Sequence, residues 1–130
     1  MKGKENDYIN SSKTILIAED NESNFLLLDT ILKKEYSIIR ARDGIEAIQK
    51  FKSHFPDLIL MDIKMPQMDG LEATREIRET NSDIPIIAVS AFAFPQDKQA
   101  AEAAGCSDYI VKPINCALLK RLLRYYLSPD

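Results

Sequence analysis

Four apolar runs in this chain each lead into polar side chains, which are of three chemical kinds. Glu19 and Asp20 follow the first run, Asp62 the second, Ser90 the third and Lys112 the fourth. If these runs are neighbouring parallel strands, three carboxylates, a hydroxyl and an ammonium group meet at one edge of one sheet. Such a set of groups is suited to a divalent cation and a phosphoryl group.

The chemistry of this set selects a hard cation. Oxygen ligands without clustered His or Cys favour Mg²⁺, and Asp20 and Asp62 are the natural direct ligands. A metal ion or Lys112 is needed to keep the neighbouring carboxylates ionised. A carboxylate beside two cations can attack phosphorus, and Ser90 can donate its hydroxyl to a phosphoryl oxygen.

Helix signals separate the apolar runs. Asn21 and Asn115 are candidate N-caps of the first and last helices, and Pro95 and Gly105 are placed to begin and end the fourth. Two D-x-x-E capping boxes, at 43–46 and 69–72, open the second and third helices. The inward face of the second helix is predicted from its spacing to consist of Ile45, Ile48 and Phe51.

This alternation of strands and helices, repeated five times, predicts an α/β fold with an open, doubly wound parallel sheet. The continuous apolar runs at 58–61 and 86–89 indicate strands that are buried on both faces. The predicted folded domain spans residues 14–127, after a flexible lead-in or linker at 1–13 and before a short tail at 128–130. A strand is expected around 37–41.

Composition argues against several classes of function. The net charge of −3 and the absence of a cluster of basic residues disfavour direct binding of nucleic acid. The sequence has no apolar stretch of membrane-spanning length and no signal-peptide core, which predicts a cytoplasmic domain without membrane contact. Cys106 and Cys116 lack metal-site spacing and are expected to be free thiols.

Over residues 14–127 the chain resembles the receiver domains of two-component response regulators. The resemblance rests on four segments in family order and spacing: ILIAEDN at 15–21, MDIKMPQMDG at 61–70, AVSA at 88–91 and DYIVKP at 108–113. It implies a (βα)5 flavodoxin-like fold with strand order 2-1-3-4-5.

The resemblance also implies a role for each residue of the acidic site. Asp62 corresponds to the phosphoacceptor and Asp20 to a direct ligand of Mg²⁺ or Mn²⁺. Glu19 corresponds to a ligand through water, and the backbone carbonyl of Lys64 to a further ligand. Many receivers carry Asp-Asp where this chain has Glu19-Asp20, and the longer Glu side chain changes the reach of that position. Lys112 corresponds to the phosphate-binding lysine.

Further residues match the family's switch and loop positions. Ser90 and Tyr109 resemble the hydroxyl and aromatic pair that remodels the face made by helix 4, strand 5 and helix 5. Pro66 and Gly70 lie in the loop after the phosphoacceptor strand, and Pro113 follows Lys112 in a peptide bond that is usually cis in the family. A simple packing role for Tyr109 remains an alternative.

The function implied is acceptance of a phosphoryl group from phosphohistidine on a histidine kinase or a histidine phosphotransfer domain, with homodimers through the same face. The isolated domain is expected to be no enzyme beyond autodephosphorylation. A metal-dependent aspartyl phosphohydrolase is less favoured, because Lys64 stands where such an enzyme needs its acid. The parent is expected to be a hybrid sensor histidine kinase, itself membrane-anchored in some cases, and the alternative is a stand-alone response regulator.

Overall fold

Strands and helices alternate along the whole part of the chain that the computed structural model describes, residues 13–128. The strands are β1 Lys13–Ala18, β2 Tyr36–Ala41, β3 Leu58–Asp62, β4 Ile86–Ser90 and β5 Asp108–Val111. The helices are α1 Glu22–Leu32, α2 Gly44–His54, α3 Gly70–Thr80, α4 Pro95–Ala104 and α5 Cys116–Leu127. Apart from Lys13, which begins β1, the lead-in predicted at 1–13 lies outside the described residues, as do the last two residues of the predicted tail.

The sheet is parallel throughout and has the order β2-β1-β3-β4-β5. The chain runs outward from β1 to β2, and then crosses back to β3 on the other side of β1. The direction of winding therefore reverses between β1 and β3, and ligands of open α/β sheets bind at such a point, beyond the strand ends. This architecture confirms the predicted doubly wound fold.

The core has two layers, one on each face of the sheet. Along β1, Leu16 and Ala18 belong to the layer under α2 and α3, while Ile15 and Ile17 belong to the layer under α1 and α5. Successive side chains of a strand point to opposite faces, so a strand covered on both sides must be apolar at every position. All five residues of β3 are accordingly buried, including Asp62.

Side-chain caps fix where four of the helices begin. In each, the cap oxygen accepts from the backbone N–H three residues on, at 2.8–3.0 Å; the caps are Asn21, Asp43, Asp69 and Asn115. These were the predicted cap positions. Glu46 reaches back to the N–H of Arg42 at 2.7 Å, one residue before the position that a capping box requires.

The inward face of α2 differs from the prediction at Ile45, which is 44% exposed. The buried positions are Gly44, Ala47 and Phe51. The N–H of Gly44 donates to the carbonyl of Met68 at 2.9 Å, and a Cβ at Gly44 would lie only 2.5 Å from that oxygen. This close approach sets the rotation of the helix and turns Ile45, the next residue, towards solvent.

Gly70 begins α3 where the helix touches the end of β3. Its N–H donates to the carbonyl of Ile63 at 2.9 Å, and a Cβ would lie 2.2 Å from the carbonyl oxygen of Asp62. Since that oxygen belongs to the backbone, it cannot turn aside as a flexible side chain would. Only glycine allows α3 to start this close to the strand that carries Asp62.

We therefore expect Gly70→Ala to destabilise the protein by about 1–3 kcal/mol, as overpacking does. Urea unfolding followed by circular dichroism measures the change. Glu76→Ala, at an exposed position of the same helix, is the matched control and should stay within about 0.5 kcal/mol of the wild type. Equal stability of the two variants would contradict the proposed steric role of Gly70.

The last helix is attached to β5 through Tyr126. Leu119 and Leu123 of α5 are fully buried. Tyr126 is half-buried, and its hydroxyl is placed to donate to the carbonyl of Ser107 and to a carboxylate oxygen of Asp108, both at 3.0 Å. Burial, followed by the hydrogen bond and charge of Asp108, raises the pKa of Tyr126 to about 12. The folded protein thus holds this proton more tightly than the unfolded chain does.

Tyr126→Phe should cost about 1 kcal/mol at neutral pH through the lost hydrogen bonds. The native hydroxyl keeps its proton above pH 10, the ordinary pKa of a tyrosine, so its stabilising effect is complete below pH 10 and is lost as the pH rises towards 12. The stability difference between wild type and variant should therefore shrink over that range. Urea unfolding of both proteins at stepped pH values measures it; a difference that does not change with pH would refute the assignment.

Candidate functional site

The structure brings the five polar residues singled out by the sequence to the carboxyl edge of the sheet. Glu19 and Asp20 directly follow β1, Asp62 and Ser90 are the last residues of β3 and β4, and Lys112 directly follows β5. Because all of these strands are parallel, their ends lie at the same edge. The edge includes the point between β1 and β3 where the winding reverses.

Glu19 is buried, and each of its polar atoms has a partner. Its N–H donates to the carbonyl of Ala41, and its two carboxylate oxygens accept from the ammonium of Lys112 at 3.3 Å and from the N–H of Asn21 at 3.1 Å. Its carbonyl accepts from the guanidinium of Arg40. Glu19 is therefore held in one position by contacts on every side.

Asp20 differs from its neighbour because its carboxylate is exposed and, within residues 13–128, accepts no hydrogen bond. Carboxylate oxygens of Glu19, Asp20 and Asp62 all lie within 4.8 Å of one another. Three oxygen donors at this spacing, one of them unpartnered, suit a hard divalent cation that retains several waters. The residues present therefore fit such an ion.

Asp62 and Lys112 form an ion pair at the centre of the site. The ammonium lies 3.1 Å from one carboxylate oxygen of Asp62, and the backbone N–H of Lys64 donates to the other at 3.2 Å. Burial and then the charge of Glu19 raise the pKa of Asp62 to about 6, although Lys112 opposes both effects. Burial by itself would lower the pKa of Lys112, but the hydrogen bond and charge of Asp62, with those of Glu19, outweigh it and raise that pKa.

A chain of two hydrogen bonds leads from Ser90 to the surface through the backbone of Phe92. The N–H of Phe92 donates to the buried hydroxyl oxygen of Ser90 at 3.1 Å, and the hydroxyl of Tyr109 donates to the carbonyl of Phe92 at 2.7 Å. The conformation of Phe92 is thus tied to both hydroxyl groups.

The loop after β3 makes a tight turn at Pro66, whose carbonyl accepts from the N–H of Met68 at 2.7 Å while Gln67 has a φ of 68°. The exposed Lys64 extends its ammonium over the ring of Phe92, 5.5 Å from the centroid. This contact joins the loop after β3 to the loop after β4. On the far side of the site, the Lys112-Pro113 peptide bond is cis.

Arg40 is a site residue that the sequence reasoning missed. It lies in β2 opposite Ile17, and its guanidinium donates to the carbonyls of both Glu19 and Asp20. The available signal was an arginine interrupting the otherwise apolar run Ile38-Ile39-Arg40-Ala41, at the level where the acidic pair follows the neighbouring strand.

The chain matches known proteins over most of its length. Residues 15–124 match the family model described as the response regulator receiver domain. The response regulator DivK of Brucella ovis, which acts in polar differentiation, is 41% identical over 120 residues, covering 90% of this chain and 98% of DivK. DivK of Brucella anthropi is 42% identical, with 89% and 97% covered.

Solved receiver structures are similar in both fold and sequence. The receiver domain of the sensor histidine kinase PA1611 from Pseudomonas aeruginosa, with magnesium coordinated in its active site cleft, matches with a TM-score of 0.84 and 36% identity, covering 90% of this chain and 98% of that one. The receiver of Ssk1 from Saccharomyces cerevisiae, crystallised with the histidine phosphotransfer protein Ypd1, gives 0.83 and 30%, with 88% of each chain covered.

None of the described helices is long and apolar enough to cross a membrane.

With five parallel strands in the order 2-1-3-4-5, an acidic cluster at the reversal point and matches to receivers over nine-tenths of its length, the chain belongs to the response regulator receiver domain family and is a receiver domain of two-component signalling.

Proposed function

We propose that Asp62 accepts a phosphoryl group from a phosphohistidine on a partner protein. The observation that carries this proposal is the setting of its carboxylate, which is buried and held by Lys112 at 3.1 Å and by the N–H of Lys64 at 3.2 Å. It lies next to the carboxylate of Asp20, which has no partner within residues 13–128. A fixed carboxylate beside a cation and a metal-binding group is arranged for nucleophilic attack on phosphorus.

In the transfer, a carboxylate oxygen of Asp62 forms a bond to phosphorus while the bond from phosphorus to the imidazole nitrogen breaks. The leaving nitrogen keeps the electron pair, and Asp62 becomes an acyl phosphate. Negative charge stays on the phosphoryl oxygens throughout, so the reaction depends on positive charge at fixed positions more than on proton transfer. Lys112, already bonded to Asp62, supplies one such charge.

Asp20 and Asp62 would hold Mg²⁺ or Mn²⁺ directly, with the backbone carbonyl of Lys64 as a further ligand. Glu19, whose carboxylate accepts from Lys112 and from the N–H of Asn21, would act through water, as the matching position of receiver domains does. The bound ion would add positive charge beside the phosphoryl oxygens. Magnesium in the cleft of the PA1611 receiver supports this assignment.

Ser90 and Tyr109 would report the arrival of the phosphoryl group to the surface. Ser90 would turn its hydroxyl towards a phosphoryl oxygen and give up its bond to the N–H of Phe92. Tyr109 holds the carbonyl of the same residue, so the loop and the tyrosine would rearrange together. The face formed by α4, β5 and α5 would change and serve as the site of homodimer formation.

The phosphoryl group would act as a signal, and water would remove it by autodephosphorylation. A hydrolase with an aspartyl nucleophile needs an acid two residues after that nucleophile, where this chain has Lys64. The ammonium of Lys64 lies over the ring of Phe92, 5.5 Å from its centroid, and this position carries no carboxylic acid.

A histidine kinase or a histidine phosphotransfer domain would be the donor, as Ypd1 is the crystallised partner of Ssk1. The chain would be a cytoplasmic domain of a hybrid sensor histidine kinase, as the PA1611 receiver is a domain of a sensor histidine kinase. The alternative is a stand-alone regulator of the DivK kind. Direct contact with nucleic acid or membrane is not part of the proposed function.

Asp62→Asn should abolish formation of the acyl-phosphate adduct, because an amide is not a nucleophile towards phosphorus. Intact mass spectrometry after incubation with acetyl phosphate and Mg²⁺ measures the adduct of about 80 Da expected for one phosphoryl group. Glu79→Gln, an exposed change on α3, is the matched control and should be phosphorylated like the wild type. An undiminished adduct in Asp62→Asn would rule out Asp62 as the acceptor.

Asp20→Ala should weaken Mg²⁺ binding by more than about tenfold, because it removes a full charge at contact distance from the ion. Isothermal titration calorimetry gives the two affinities, again with Glu79→Gln as control. Asp20 carries no hydrogen bond on its carboxylate in the described chain, so the thermal stability in EDTA should change little. Equal affinity in wild type and Asp20→Ala would remove Asp20 from the metal site.

A further inference from the structure

We infer that Arg40 is a positioning residue for the acidic pair, and that its guanidinium sets the metal affinity of the site by holding the backbone of Glu19 and Asp20. This inference rests on the proposed metal site. It assigns a role in that site to a residue of β2, an edge strand of the sheet. The side chain of this residue does not touch the ion's expected ligand atoms.

The contacts of the guanidinium converge on one segment of backbone. Two nitrogens of Arg40 donate to the carbonyl of Glu19, at 3.2 and 3.1 Å, and one of them is 3.4 Å from the carbonyl of Asp20. The planar fork of arginine has its donors in fixed directions, so two adjacent carbonyls can be held at once. The turn between β1 and α1 is thereby fastened to β2.

The guanidinium is itself held in place from the side of α1. Its third nitrogen forms an ion pair with Glu22 at 2.6 Å, its central carbon lies 4.5 Å from the centroid of the Phe25 ring, and only 10% of the side chain is exposed. Arg40 also lowers the pKa of Glu22, first through the hydrogen bond and then through its charge. A partly buried, stacked and paired guanidinium is fixed well enough to position other groups.

The backbone is the means by which Arg40 acts on the ligands. The carboxylate of Asp20 has no partner among residues 13–128, so its position depends on the backbone that carries it. Groups that orient metal ligands commonly change metal affinity 10–100-fold when they are removed. Positioning should therefore matter more at Asp20 than at Glu19, whose side chain is held by Lys112 and Asn21.

Charge and positioning predict opposite effects of removing Arg40, which makes the inference testable. Loss of a positive charge near an acidic site strengthens cation binding, whereas loss of positioning weakens it. Arg42 offers the matched control because it is exposed, lies two residues away and also acts on Glu22 through its charge. Arg42→Gln removes the same charge without touching the carbonyls of Glu19 or Asp20.

The experiment compares Mg²⁺ affinity, by calorimetric titration of the full chain well below the melting temperature, in wild type, Arg40→Gln and Arg42→Gln. We expect Arg40→Gln to bind Mg²⁺ about tenfold more weakly than wild type, and Arg42→Gln to bind equally or more tightly. A purely structural role would lower the melting temperature in EDTA but leave the Mg²⁺ affinity unchanged. Equal Mg²⁺ affinities of Arg40→Gln and Arg42→Gln would overturn the inference.

Arg40→Lys decides the question if Arg40→Gln does not fold. Lysine keeps the charge but has no fork to hold two carbonyls, so Mg²⁺ should still bind more weakly, by a few-fold, and wild-type affinity would overturn the inference. A wild type that binds no Mg²⁺ would instead refute the proposed metal site, and this inference with it. If only the inference fails, the wild type still binds Mg²⁺ and Asp20→Ala still binds it more weakly.

Discussion

Burial of two carboxylates beside a single ammonium group is the constraint on which the rest of this receiver depends. Glu19 and Asp62 are almost fully buried, and Lys112 binds both, at 3.3 and 3.1 Å. Burial, and then the charge of Glu19, raises the pKa of Asp62 to about 6, because one cation does not balance two buried anions. The exposed Asp20 adds a third negative charge at the same edge. This excess of negative charge is what a divalent cation would neutralise.

The fold supports this unfavourable arrangement by surrounding it with rigid structure. The charged groups stand at the ends of strands that are covered on both faces, and the apolar layers on each side are continuous. Gly70 lets α3 begin against the carbonyl of Asp62, and caps at Asn21 and Asp69 fix where the neighbouring helices start. Free energy from apolar burial in the sheet thus offsets the electrostatic cost at its edge.

The two sides of the site are connected to the surface in different ways. On the side of β4 and β5, the backbone of Phe92 joins the hydroxyls of Ser90 and Tyr109, so a change at one can reach the other through two hydrogen bonds. On the side of β2 and α1, Arg40 fastens the acidic pair to elements that have no part in that chain. On the first side one backbone residue links two hydroxyl groups, whereas on the second side a guanidinium paired with Glu22 holds the backbone of the acidic pair.

Local patterns in the sequence were enough to predict the strands and the helix caps, because these depend on residues close to one another along the chain. The parallel fold followed from the alternation of strands and helices. The rule that parallel strand ends share an edge then brought together Glu19, Asp20, Asp62, Ser90 and Lys112. Tertiary structure alone decided the exposure of Ile45, the stacking of Lys64 on Phe92 and the hydrogen bonds from Arg40 to the backbone of the acidic pair. Ile45 turned outward because a backbone contact to Met68, 24 residues away in sequence from Gly44, rotates α2. Contacts of this kind depend on strand register and helix rotation, which are set by packing across the whole domain and not by the spacing of residues along the chain.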